Sequence, residues 1–74
     1  MSGELEELAD RLAALAEELA DLAIYRLRRA AEAARSTGSP DPALVAEEKR
    51  LTRARRAVDK AVALLRSPAA GRDG

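Results

Sequence analysis

This chain of 74 residues contains no cysteine, histidine, tryptophan or phenylalanine, and Tyr25 is its one aromatic residue. Without cysteine, disulfide bonds are excluded, and without either cysteine or histidine the usual zinc ligands are missing. No apolar run approaches the roughly 18 residues that a membrane-spanning helix needs. The first residues also lack the apolar core of a secretory signal peptide. We therefore expect one cytoplasmic domain, residues 1–74, that makes no contact with a membrane.

The same absences argue against catalysis. A serine or threonine nucleophile needs a positioned base, and nothing near the few hydroxyl groups of this chain suggests one. Carboxylates are plentiful, but carboxylate-bridged metal sites in helical bundles normally use Glu-x-x-His motifs, and histidine is absent. We expect a protein that is not an enzyme, with no catalytic residue, no metal site and no cofactor.

What the chain does contain is leucine and alanine at helical spacing. Six leucines alternate at intervals of three and four residues, which is typical of one apolar stripe along a helix. A second stripe recurs every seven residues later in the chain. Together with Leu27 and Val62, the two stripes form a predicted assembly seam of Leu5, Leu8, Leu12, Leu15, Leu19, Leu22, Leu27, Leu44, Leu51, Val58, Val62 and Leu65.

The breaker between the stripes predicts an all-α, antiparallel two-helix hairpin. We place a helix at 4–35, a loop at 36–41, a helix at 42–66 and a flexible tail at 67–74. Gly38 suits the end of the first helix, Asp41 and Pro42 suit the start of the second, and Pro68 ends it. Near Asp21 the apolar set shifts by four residues, which predicts a stutter in the seam.

Charge and apolar patterns agree on one register for this hairpin. Folding the chain about Gly38 pairs residues whose numbers sum to about 77. Charged neighbours are then predicted at Glu17 with Lys60, Asp21 with Arg56, and Arg29 with Glu48. A lone hairpin covers each apolar stripe from one side only and should be marginally stable. We therefore expect a homodimer in which two hairpins form an antiparallel four-helix bundle or coiled coil.

The net charge is zero, but the charges are unevenly distributed. Residues 1–25 have seven acids and one base, and residues 26–60 have ten bases and five acids. In the predicted dimer the acidic end of one chain would lie against the basic loop end of the other. Six basic residues are possible contacts to an acidic protein or to nucleic acid, although charged helix faces usually serve solubility and pairing. They are Arg28, Arg29, Lys49, Arg50, Arg53 and Arg56.

The run from Arg50 to Arg66, RLTRARRAVDKAVALLR, and the upstream segment ELADLA at 18–23 resemble small uncharacterised helical-hairpin proteins of high-GC actinobacteria. The resemblance covers most of the chain and has no motif of known chemistry, so it implies a fold and no activity. An idealised designed bundle has a similar composition, but the irregular loop and the uneven use of arginine argue for a natural sequence.

Three functions are compatible with this pattern. The first is a self-associating interaction or scaffold module without enzymatic activity. The second is a nucleic-acid-associated protein that uses the basic face of the second helix. The third is a small regulator or adaptor that caps helices of a larger protein.

Overall fold

The computed structural model describes residues 3–67, and within them the predicted all-α hairpin is confirmed. Helix α1 spans Gly3–Thr37 and helix α2 spans Pro42–Arg66. Helix α1 begins one residue earlier and ends two residues later than predicted, while α2 has the predicted bounds. The predicted flexible tail lies outside the described residues except for Ser67, whose N–H bonds Leu64 O at 3.3 Å.

The turn between the helices is built from local capping interactions. Gly38 has a φ of 91°, where a side chain would be strained, and its N–H donates to Ala34 O at 2.8 Å. Asp41 caps α2, because its carboxylate accepts a hydrogen bond of 2.9 Å from Ala43 N. Pro42 follows at the first helical position, where its missing N–H has no cost.

The residues of α1 that are buried at its contact with α2 are alanines. The buried residues of α1 are Ala9, Ala16, Ala23 and Ala30, which are spaced by seven, and the buried residue of α2 is Val62. The heptad of alanines continues through the point where the sequence predicts a stutter. The stutter prediction is therefore wrong for the contact line, because small residues at one heptad position already maintain the helix contact.

The charge pairs predicted from the sequence are also wrong. Within residues 3–67, the ion pairs that join α1 to α2 are Arg26 with Glu47 at 2.5 Å, and Arg66 with Asp10 at 2.6 Å and with Glu6 at 3.9 Å. None of the three predicted pairs is among them. The numbers of the two closest pairs sum to 73 and 76, compared with the predicted 77. The rotation of α1 onto its alanines moves Asp21 to the outer side of the hairpin, away from α2.

The described hairpin is a single layer of two helices, with principal dimensions of 55 × 23 × 11 Å. Its length matches about 52 Å for the 35 residues of α1 at 1.5 Å each. No large side chain in the described part falls below 2% exposure, and the fully buried residue is Ala9. A layer one helix thick has no interior, so large apolar side chains can be buried only by something outside the hairpin.

Candidate functional site

Three exposed leucines of α1 directly precede buried alanines. Leu8, Leu15 and Leu22 stand next to Ala9, Ala16 and Ala23, and they are 45%, 50% and 43% exposed. Successive helical residues point about 100° apart around the axis. The alanines therefore face α2, while these leucines face one broad side of the hairpin.

Helix α2 contributes to the same side. A groove there is lined by Leu22 and Arg26 of α1 and by Glu47, Arg50, Leu51 and Ala54 of α2. The heptad positions of Arg50 and Ala54 repeat toward the end of α2 at Ala57, Ala61 and Leu64, and Leu64 is 59% exposed. We call this side the leucine face and define it by the residues Leu8, Leu15, Leu22, Leu51, Ala54, Ala57, Ala61 and Leu64.

The predicted seam residues differ in their surroundings. Val62 is buried against α1, and Leu5 is 50% exposed. Leu27 is 49% exposed and lines a groove on the other side of the hairpin. The remaining members of the seam are half-buried, and Leu51 among them lines the groove of the leucine face: Leu12, Leu19, Leu44, Leu51, Val58 and Leu65.

We call the opposite side of the hairpin the polar face. It has smaller side chains and more charged residues than the leucine face. Near the loop its groove is lined by Ile24 and Leu27 together with Glu48, Thr52 and Arg55. Toward the other end its groove is lined by Ala13, Ala16, Glu17, Arg55, Asp59, Val62, Ala63 and Arg66. The two faces therefore differ in kind, and the continuous row of large apolar side chains belongs to the leucine face.

The accessible surface of the chain is large for its mass. It is 5655 Å² for this chain of 7.9 kDa. A compact monomer of that mass is expected to expose about 4,400 Å². The difference of about 1,200 Å² reflects the elongated hairpin, which has more surface for its mass than a compact monomer.

Tyr25 lies on the outer side of α1 beside two arginines. The guanidinium carbons of Arg26 and Arg29 are 5.6 and 5.8 Å from the centre of its ring, and Arg29 donates a 3.2 Å hydrogen bond to its hydroxyl. This hydrogen bond raises the pKa of Arg29, so the guanidinium stays charged. Tyr25 is therefore held by its own helix, although 47% of it remains exposed.

The structure separates the six basic residues predicted as contacts. Arg28 and Arg29 belong to α1, and Arg50 lines the groove on the leucine face. Lys49, Arg53 and Arg56 line a different groove along α2. Only these last three are brought together on one surface.

Residues 3–67 contain no buried polar or charged side chain and no group of three or more potential metal-ligating side chains. Neither α1 nor α2 contains a segment long and apolar enough to cross a bilayer. The arrangement can offer surfaces to other molecules, and the leucine face presents exposed leucines from both helices.

The sequence predicts the six early leucines as members of the assembly seam, and Ala9 and Ala16, which are buried at the helix contact, were not predicted there. The signal was present, since Ala9, Ala16, Ala23 and Ala30 form a seven-residue repeat of their own. Comparison of the chain with protein-family models, with curated proteins and with solved structures gives no match. The resemblance to actinobacterial hairpin proteins stays a prediction.

Proposed function

We propose that this protein is an interaction or scaffold module without enzymatic activity, and that it self-associates through the leucine face. The observation that carries the proposal is that Leu8, Leu15, Leu22 and Leu64 are each 43–59% exposed on one side of a layer only 11 Å thick. Soluble monomers rarely expose a contiguous apolar patch of this kind, and such patches mark contact sites.

A second copy suits this face because both helices present their apolar side chains to the same side. Two hairpins stacked through their leucine faces would form a four-helix bundle, in which each helix has neighbours on two sides. A twofold symmetric contact of this type uses the same patch on both chains, so it needs no further partner. We further propose a cytoplasmic location, because a chain without cysteine folds unchanged in a reducing compartment.

The experiment is solution mass by light scattering after size exclusion, at two protein concentrations and two salt concentrations. We expect a mass near twice 7.9 kDa that salt leaves unchanged, because apolar contacts dominate the interface. A folded monomer at all conditions would refute self-association and would favour the adaptor role, with the leucine face reserved for a different protein.

Charge placed on the two sides of α1 gives the matched comparison. Leu15→Asp places a carboxylate on the leucine face and should abolish the dimer. Ala14→Asp places the same group one residue earlier, on the exposed outer side of α1, and should leave the dimer intact. Circular dichroism should show lost helicity for the first variant only, since the hairpin and the dimer are expected to fold together.

A further inference from the structure

The outer side of α2 has a second, unrelated surface. Lys49, Arg53, Arg56 and Lys60 are all exposed and follow one another at intervals of four, three and four residues. This spacing puts them on one side of the helix, along about 16 Å of its axis. We call these four residues the basic edge, and three of them line the groove shared with Glu48 and Thr52.

The four residues of the basic edge form no ion pair within the described hairpin. The ion pairs among residues 3–67 use Arg26, Arg55 and Arg66 as their cations. None of the four basic-edge residues has a carboxylate within 4.0 Å, although the sequence predicts that Asp21 and Glu17 neutralise two of them. The carboxylate in the groove, Glu48, accepts a hydrogen bond of 2.8 Å from Thr52.

Folding therefore leaves three successive pairs of like charges on one helix side. Each such pair destabilises a helix by about 0.2–0.5 kcal/mol. The chain as a whole is neutral, so this repulsion does not follow from composition. An anionic ligand that runs along the edge would relieve it.

The side chains of the edge also indicate which anion. Tyr25, the one aromatic residue, belongs to α1, and the exposed leucine nearest to the edge is Leu64, which follows Lys60 by four residues at the end of α2. Protein partners gain most of their affinity from buried aromatic and aliphatic anchors, which the edge lacks. Single-stranded nucleic acids are usually held by aromatic stacking, which it also lacks.

We propose that the basic edge binds the phosphate backbone of double-stranded nucleic acid without sequence preference. Duplex DNA has one charge per roughly 1.7 Å of axis and binds cationic surfaces through released counterions. The proposal is independent of the leucine face, because the four residues point to the outer side of α2. A dimer and a monomer would both present the edge.

The test is fluorescence anisotropy of a labelled 20-base-pair duplex titrated with the full chain at salt concentrations from 50 to 200 mM. Four phosphate contacts predict a slope of log K against log salt of about −3.6, or a loss of about 150-fold in affinity over this range. The variant Lys49→Gln, Arg53→Gln, Arg56→Gln, Lys60→Gln should lose binding at every salt concentration.

A control variant of equal net charge replaces four exposed arginines of α1 by glutamine and should keep the wild-type slope. It carries changes at Arg11, Arg28, Arg29 and Arg35. Three results would overturn the proposal: no binding of the duplex at 50 mM salt, equal losses in both variants, or competition by polyglutamate as effective as competition by unlabelled duplex. Circular dichroism establishes that both variants remain helical.

Discussion

Shortening Leu15 to alanine distinguishes a hairpin that pairs through its leucine face from one that stays alone. Leu15 is 50% exposed in the hairpin, so about half of its surface is available to a second copy. Full burial of a leucine side chain contributes about 1.5–3 kcal/mol, and the available half contributes about 0.8–1.5 kcal/mol per chain. Both chains of a dimer lose this amount, or about 1.5–3 kcal/mol per dimer.

Since 1.4 kcal/mol corresponds to a factor of ten, the dissociation constant should rise about 10- to 150-fold. Sedimentation equilibrium over a dilution series measures this change. In an isolated hairpin the same substitution removes a solvent-exposed side chain, and alanine is the better helix former. Its effect on the unfolding free energy of a monomer would then be close to zero.

The matched control is Ile24→Ala. Ile24 is 48% exposed, nearly the same as Leu15, but lies on the polar face. We expect the dissociation constant to change less than threefold in this variant. Pairing through the leucine face is refuted if Leu15→Ala leaves the dissociation constant within threefold of wild type. It is also refuted if Ile24→Ala raises the dissociation constant as much as Leu15→Ala does.

Two further predictions concern the hairpin itself. Gly38→Ala should destabilise the protein by about 1 kcal/mol or more, because φ is 91° there, whereas Gly3→Ala, with nothing within 4 Å of the added carbon, should not. Thermal unfolding of both variants measures the difference, and equal melting temperatures would contradict the role assigned to the turn. Ala16 is 3% exposed, so Ala16→Leu should overpack the helix contact and lower the free energy of unfolding by about 1–3 kcal/mol. Ala14→Leu, on the outer side of α1, should leave the free energy of unfolding in urea unchanged. If Ala16→Leu is as stable as wild type, the alanines do not set the distance between the two helix axes.

The candidate site was only partly predictable. The sequence singles out the leucines of α1 as an assembly surface, and the structure places Leu5, Leu8, Leu15 and Leu22 where a second copy could reach them. The sequence did not predict that Leu27 lies on the polar face. The side on which a residue of α1 lies depends on which residues of that helix face α2. The predicted charge pairs were wrong because they also depended on the rotation of α1. Exposed ion pairs contribute only about 0–1 kcal/mol each and do not fix a register.

The sequence by itself determined the two helices and the place where the chain reverses. Gly38, Asp41 and Pro42 act through their own backbone geometry and nearest neighbours, so their effects can be predicted without a tertiary structure. Only the tertiary structure decided the rotation of α1 about its axis. Alanines and leucines both recur at heptad spacing about 100° apart, and either line could face α2. The hairpin uses the alanines, because small side chains let the helix axes approach, and this leaves the leucines and the basic edge for contacts outside the chain.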